Sequence, residues 1–459
     1  LEALAEPGGI CISSIVHESL GNRVEVAFAD AGEHEVKNIA RPIKVFQWPV
    51  VGKTQSAPKS AAPKGAERPS VAVLPLDNMS ANPQDEAFVD GMTEDIITAM
   101  SLTRWYDVKA RNSTFAYKGS SPDVRQAAKE LGADYVLEGS VRKSGNRARI
   151  TVQLIEAISG NHVWADRFDR QTEDEFVVQD EIAQRIASVM GERIWQDMAR
   201  GIGGKPLDEY GAYDYAFTAI ELLHRLEPSD VARAKLGLQK ALEMDPQLIV
   251  GHLGLGFCHM FEWAYWGDPD GTHLERAYQH AGRLQELAPN DAQTFRLFSR
   301  VLSAKEMHAE AWQKVERALS INPNDGDIIA NRGLYHLYQG QFELAIEWFD
   351  KVLDFHADTP HTVDIMNYWK AMARFGLRDY AGSVILIERV AGMEYLRDLW
   401  LCACQAQLDN QGRAQIHTSA ILTANPGFSL THIGMWKSFQ HDADRQHLYE
   451  AFRRAGLPQ

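Results

Sequence analysis

From Ser70 the chain alternates short apolar runs with amphipathic stretches. Ser70–Leu76 (SVAVLPL) is a β-rich run closed by polar Asp77 and Asn78. Asn82 and Pro83 then open a helix, a capping side chain followed by proline at the first helical position. Phe88, Val89, Met92, Ile96, Ile97 and Met100 recur every three or four residues, so one stripe of that helix faces a core. Trp105–Ala110 reads as a second strand, and Val124–Leu131 as a second helix stopped by Gly132. Beyond Tyr135 the period becomes two: Ala148, Ile150, Val152 and Leu154 alternate with Arg149, Thr151 and Gln153. Turns at Ser144-Gly145-Asn146 and Ser159-Gly160-Asn161 divide this region into a three-stranded meander whose last strand lies near His162–Phe168. A final amphipathic helix covers Asp174–Trp195. The order β-α-β-α-β-β-β-α predicts an α/β domain with one sheet over residues 70–200.

Residues 206–459 repeat themselves. Ala234, Ala277, Ala311, Ala345, Ala381 and Ala414 follow one another at intervals of 43, 34, 34, 36 and 33 residues. Pro246, Pro289, Pro323 and Pro426 come twelve residues after four of them, and Ala241, Leu284, Ala318, Val352 and Ile421 seven residues after five. Two antiparallel helices approach closely only where a side chain is small, and proline ends the second helix before the next pair begins. The pattern resembles the tetratricopeptide repeat, best seen at Gly333, Ala345, Phe349 and Val352. It predicts an all-α superhelix of five or six helix pairs with a concave face. The interval of 43 holds an insertion near Trp263–Thr272. The expected fold class is therefore multidomain, α/β plus an all-α solenoid.

Two breaks separate the blocks. Residues 51–69 (VGKTQSAPKSAAPKGAERP) are small, proline-bearing and without apolar period, a linker. Residues 200–206 (RGIGGKP) end the last helical pattern of the α/β block. Gly52-Lys53-Thr54 imitates the tail of a phosphate-binding loop, but Gln47 stands where that loop needs glycine and a proline-rich tract replaces its helix, so no phosphate cradle is expected.

Charge narrows the partners. The formal net charge is −15, and the acidic excess falls in residues 70–459. Nucleic-acid binding needs a basic face to displace phosphate counterions. The densest basic cluster, Arg142, Lys143, Arg147 and Arg149, straddles a hairpin turn and reads as a solvated tip, so no nucleic-acid partner is expected. Four scattered cysteines make no disulfide framework, no long apolar run spans a membrane, and no basic-then-apolar leader follows Leu1. A cytoplasmic location is the expectation.

Residues 1–50 carry the most specific text. The turn Ala5-Glu6-Pro7-Gly8-Gly9, the strand Ile10–Ser13, Gly32-Glu33-His34 leading into Val36-Lys37-Asn38-Ile39, and Pro42 before a closing strand Ile43–Trp48 resemble the C-terminal end of the bacterial class III nucleotidyl cyclase catalytic domain. The resemblance implies conversion of ATP or GTP to a 3′,5′-cyclic nucleotide and pyrophosphate at a dimer interface. It also implies two divalent metals, Mg or Mn, held by two aspartates in the parent protein. Those aspartates, and the family's Asn/Arg pair, belong to positions before Leu1. The chain is accordingly expected to be a catalytically inactive piece of a longer protein, with no cofactor of its own. The family's strand lysine that contacts nucleotide phosphates is matched by Lys37, with a role only in an intact parent domain.

Residues 70–190 resemble the TolB amino-terminal-like domain through SVAVLPLDNMS, FVDGMTEDIITAMS, ARNSTFAYKG, the long meander and QDEIAQRIA. Asp77 and Asn78 follow its first strand, and Arg111, Asn112 and Ser113 its second. If those strands are parallel neighbours, their carboxyl-end loops are where a small polar or peptide ligand would sit; turn and capping duties are the plainer reading. His252 and His259 share a helical face with Glu262 near, a metal site in outline, although no metal is assigned. Cys402 and Cys404 read as buried small hydrophobes. Phe261, Trp263 and Trp266 belong to an aromatic run that could line the concave groove. The expected function is a regulatory and protein-interaction tail of a class III adenylate cyclase, binding a protein partner or a second copy through the superhelix. The alternatives are the tail of a CadC-like transcription regulator and a stand-alone tetratricopeptide interaction protein.

Overall fold

The computed structural model describes residues 10–14, 16–17, 28–34, 43–48, 68–102, 106–120, 122–171, 175–202, 205–356 and 359–459. The chain divides into two units, Leu1–Ala62 and Pro63–Gln459. In the first, strands β1 (Ile10–Ser13), β2 (Ala29–His34) and β3 (Ile43–Trp48) form an antiparallel sheet in the order β1-β3-β2. Ile10 lies opposite Trp48 and His34 opposite Ile43. Val45 is fully buried, and the His17 ring stacks on Phe46 at 3.9 Å. Lys37 lies outside the described residues.

The second unit opens with the α/β block. Its strands are β4 (Ser70–Val73), β5 (Asp77–Asn78), β6 (Asp107–Val108), β7 (Tyr135–Ser144), β8 (Arg147–Glu156) and β9 (His162–Gln171). Its helices are α1 (Glu86–Ser101), α2 (Arg111–Thr114), α3 (Val124–Leu131) and α4 (Glu175–Ile202). The sheet runs β6-β4-β7-β8-β9, with β5 also paired to β7. β4 is parallel to both β6 and β7, whereas the meander is antiparallel. Because β4 sits between β6 and β7, the crossovers through α1 and α3 leave in opposite directions, and right-handed connections put them on opposite faces. The two faces have separate cores. Phe88, Val89, Met92 and Ile96 of α1 join Ile182, Ile186 and Met190 of α4 over Ile150, Val152 and Leu154. Ala128 of α3 packs on Ala72, Leu74 and Val136.

Local chemistry sets the ends of these elements. The Asp123 carboxylate accepts from Arg125 N and Gln126 N at the start of α3, and Gly132 ends it at φ 60°, a left-handed conformation that suits glycine. The second strand is shorter than its sequence pattern, because β6 is an edge that pairs only through Asp107 and Val108. The last helix is longer. α4 has 28 residues, about 42 Å of helix, and its far end carries Trp195 edge-on to Phe217 at 4.1 Å. The break expected at 200–206 therefore does not separate two bodies; from Pro63 onward the chain is one unit.

Six helical hairpins follow: α5 (Ala212–Leu223) with α6 (Pro228–Met244), α7 (Ile249–Phe261) with α8 (Thr272–Leu287), α9 (Ala292–Ala304) with α10 (His308–Ile321), α11 (Gly326–Tyr338) with α12 (Phe342–His356), α13 (Pro360–Gly376) with α14 (Tyr380–Ile387), and α15 (Glu394–Gln407) with α16 (Gln411–Ala424), closed by α17 (Asp442–Arg454). Ala234, Ala277, Ala311, Ala345 and Ala414 are fully buried at the crossings. The fifth marker is corrected: Ala381 is exposed, and the fully buried small residue is Ser383, followed by buried Ile387 and Val390. The Ser383 hydroxyl donates to Ala371 O at 2.9 Å, which lets a polar group occupy the crossing.

Each first helix of a hairpin packs on the first helix of the next, so α5, α7, α9, α11, α13 and α15 form the tighter, inner layer of the superhelix. The insertion reaches across this curve. It continues α7 as a π-helical turn, Glu262–Trp266, and docks on the far repeats. Tyr395 donates its hydroxyl to Tyr265 O at 3.2 Å, Asn425 its amide to Trp266 O at 3.2 Å, and Gly434 N donates to Trp263 O at 2.9 Å. Among the described residues, no helix is long and apolar enough to cross a membrane.

Candidate functional site

The loops at the carboxyl ends of β4 and β6 are tied down by their own side chains. Asn78 accepts from Ser80 N at 2.9 Å and donates to Glu86 at 3.0 Å. Lys118 pairs with Glu86 at 2.9 Å and with Asp90 at 2.5 Å. Lys118 and Asn78 hold the Glu86 carboxyl below the usual carboxylate range. Arg111 pairs with Glu94 and lies over the Phe115 ring at 4.0 Å. Asp77, Asn112 and Ser113 are exposed. The strands are parallel neighbours, as a ligand site there requires, and the Asn78 and Arg111 side chains are engaged in turn formation and ion pairs onto α1. The basic hairpin is likewise partly neutralised: Lys143 pairs with Glu175 at 2.5 Å and Arg149 with Asp169 at 2.7 Å.

A second concavity lies where α1 and α4 meet the inner layer of the superhelix. Its cavity of about 440 Å³ is lined by Tyr106 and Trp195 from one side and by His224, Phe257, Arg296, Arg300, His361 and Trp369 from the other. That volume is in the range of small-molecule sites. Arg296 and Arg300 stand one turn apart on α9. Arg296 lies over Phe257 at 4.5 Å and pairs with Asp327 at 2.6 Å. Arg300 lies 5.6 Å from Phe257 and 5.9 Å from Trp369, with no carboxylate partner among the described residues. Arg296 Nε, Arg300 Nε, Gln293 Oε1 and the Tyr106 hydroxyl are buried with no hydrogen-bond partner among the described residues.

His224 and His361 stack at 4.5 Å, and burial lowers both imidazoles, which keeps them neutral. The α/β wall of the cavity carries Asp95 and Asp180; burial, then Asp180, raises the Asp95 carboxyl. Asp325 caps α11 through Asp327 N at 2.9 Å, and burial pushes its carboxyl up to about 6. The superhelix wall thus presents Arg296 and Arg300 with Asp325 and Asp327 beside them, and the α/β wall presents Asp95 and Asp180. Such a lining, with Arg300 between Phe257 and Trp369, suits a flat polar ligand. Sequence reasoning missed this site because its lining is spread from Asp95 to Trp369 over separate elements that only the folded chain brings together.

Of the groove aromatics, Phe261 lines this cavity. Trp263 is buried beneath Gly434, and Trp266 faces Tyr395 at 6.4 Å; both anchor the insertion. Cys402 and Cys404 are fully buried, as expected of small hydrophobes. The histidines rearrange the metal outline. His252 turns to His280, with Nδ1 atoms 3.0 Å apart, while His259 and Glu262 meet His273 from α8.

Residues 67–185 match the family model described as HilA/YgeH-like transcriptional regulator, second domain. This is the block expected from its sequence to be TolB amino-terminal-like. Over 297 residues, 63% of this chain, the sequence is 39% identical to a Rhizobium meliloti (strain 1021) protein named "Putative adenylate cyclase 3", and covers 50% of it. The chain thus spans about half the length of the curated relative it matches. Among solved structures, Pseudomonas aeruginosa pilF is similar at 20% identity over 48% of this chain and 93% of that one, with a TM-score of 0.29. A tetratricopeptide repeat protein from Parabacteroides merdae ATCC 43184 is similar at 11% identity over 61% and 95%, with a TM-score of 0.34. TolB from Acinetobacter baumannii is similar at 11% identity over 30% and 29%, with a TM-score of 0.21. TM-scores at this level do not establish a shared overall fold.

Proposed function

We propose that this chain is the regulatory and protein-interaction part of a class III adenylate cyclase whose parent reaction converts ATP to 3′,5′-cyclic AMP and pyrophosphate. The observation that carries this reading is the 39% identity over 297 residues to a protein named as an adenylate cyclase. Residues 1–50 are its cyclase end, where Lys37 contacts nucleotide phosphates once the domain is complete. The metal-holding aspartates belong to the parent, so the chain alone cyclises nothing. The superhelix takes a protein partner or a second copy. Because α4 runs unbroken from the α/β core onto the first hairpin, a load on the helical layer moves the α/β block with it. Holding two tails together raises the effective concentration of two catalytic halves. An occupant of the cavity would touch both blocks at once and tune that coupling.

The test has two arms. The chain as it stands is assayed for cyclic AMP formation from ATP with Mn and sized by light scattering across concentrations. The gene product that contains it is assayed with and without residues 70–459. No turnover by the chain, self-association, and altered activity on deletion support the reading. Turnover by the chain alone, or a monomeric chain whose removal leaves the parent rate unchanged, overturns it.

One observation favours a second reading, the tail of a transcription regulator of the CadC-like type: the match of residues 67–185 to a regulator's second domain. The net charge of −15 and the ion-paired hairpin give this chain itself no DNA footing. Binding of duplex DNA by the full gene product, with no cyclic nucleotide made, would select it.

A further inference from the structure

The end of α7, the π-helical turn and the start of α8 bring three metal-binding side chains to one point. His259 Nδ1 lies 3.1 Å from Glu262 Oε2, His273 Nδ1 lies 3.1 Å from the same oxygen, and the two Nδ1 atoms are 3.1 Å apart. The three donors form a nearly equilateral triangle. A zinc ion bound at about 2.0–2.1 Å in tetrahedral geometry holds its ligand atoms about 3.3 Å apart, and would sit about 1 Å above this triangle. Both imidazole nitrogens and the carboxylate oxygen point at one spot, the convergence that a single cation requires.

The surroundings hold these groups in place. Lys235 pairs with Glu262 Oε1, the oxygen that faces away from the triangle, and so fixes the carboxylate. Buried Asp268 accepts from His273 N at 3.0 Å and Leu274 N at 3.1 Å, which pins the first turn of α8. His259 is buried, whereas the His273 side chain is 24% exposed, so one side of the triangle is open to solvent. Two imidazoles and one carboxylate favour zinc or a neighbouring first-row ion over magnesium or calcium, which prefer all-oxygen sets.

We infer that His259, Glu262 and His273 form a binding site for one divalent transition-metal ion at the base of the insertion, with an open fourth position. The ion clamps α7 to α8 where the insertion leaves the repeat, independently of the cyclase reading.

The test uses the chain stripped with a chelator and titrated with cobalt(II), then zinc. The expected result is one equivalent of cobalt with the visible d–d absorption of a tetrahedral site, displaced by zinc, and a raised thermal midpoint. His273→Gln, at a partly exposed position, and Glu262→Gln each weaken binding by more than about 100-fold, beyond the loss of an outer partner. His162→Gln, on an exposed strand of the α/β block, leaves it unchanged. Circular dichroism of His273→Gln separates lost binding from lost folding. Absence of a saturable one-equivalent signal, or equal affinity in a folded His273→Gln variant, overturns the site.

Discussion

Gly333 and Gly282 both sit inside helices of the repeats, yet the same substitution should act on them with opposite sign. Replacing glycine by alanine in a helix interior gains about 1 kcal/mol from backbone entropy and propensity. At Gly282 in α8 a new Cβ meets nothing within 4 Å, so Gly282→Ala should stabilise by roughly that amount. At Gly333 in α11 the Cβ would lie 2.5 Å from Phe349 Cε1 and 2.8 Å from Cδ1. Phe349 is fully buried and backed by Trp369 at 5.7 Å, so its ring cannot simply swing away. Overpacking a filled core costs about 1–3 kcal/mol; with the backing ring the upper part of that range applies, and Gly333→Ala should lose about 1–2 kcal/mol net. The two variants should therefore differ by about 2–3 kcal/mol. Equilibrium urea unfolding of both, followed by tryptophan fluorescence and circular dichroism, reads the difference. If Gly333→Ala proves as stable as Gly282→Ala, the helices do not approach closely there and the reading of that hairpin is wrong.

Other outcomes follow from single contacts. Asp325→Asn keeps the α11 cap but removes a carboxyl raised to about 6. The charged form is the one the fold disfavours, so its destabilisation is absent below about pH 4 and complete above about pH 6. The variant should gain on the wild type as pH rises through that window, by less than about 3 kcal/mol because water reaches the cleft; a flat difference between pH 4.5 and 7.5 contradicts this. Cys258, Cys402 and Cys404 are buried, and burial pushes the Cys404 thiol up to about 12. An aromatic disulfide reagent should titrate Cys11 alone in the native chain and four thiols after denaturation; fast reaction of more than one contradicts the burial. A Cβ at Gly434 would stand 2.1 Å from Trp263 Cε2. Gly434→Ala should displace the insertion, lower the stability by about 1–3 kcal/mol and shift tryptophan emission; an unchanged spectrum would mean that the docking is dispensable.

Periodic features were legible in the sequence. The stripe from Phe88 to Met100, the alternation from Ala148 to Leu154 and the stop at Gly132 each report a local geometry that one stretch of chain imposes on itself. The buried alanines were legible too, because a helix crossing requires a small side chain wherever it occurs. Ala381 misled for the same reason: it is small, but the residue seven beyond it is Glu388, whereas Ser383 is followed at that spacing by Val390, and the full ladder of buried positions settles the register. The candidate sites were less legible. His252 and Glu262 do share a helix face with His259, but the third metal-type donor comes from α8, and only the helix crossing selects His273 over its neighbours. The cavity depends on α4, from Asp180 to Trp195, packing against the inner helices of the repeats. Nothing in the glycine-rich tract after Arg200 discloses that the blocks on either side of it are packed together.

The docked insertion changes what kind of object the repeats make. A row of helical hairpins whose members touch only their neighbours unravels from its ends and tolerates gain or loss of a unit. Here the second hairpin is tied to the sixth through Trp263, Tyr265 and Trp266. Deleting the chain from Asn425 onward would remove Gly434 from Trp263 and Asn425 from Trp266 and loosen the second hairpin, and an extra unit between them would stretch the tie past its reach. The number of hairpins inside the loop is fixed by the span of ten residues, and lineages carrying this insertion should vary in repeat count only outside it.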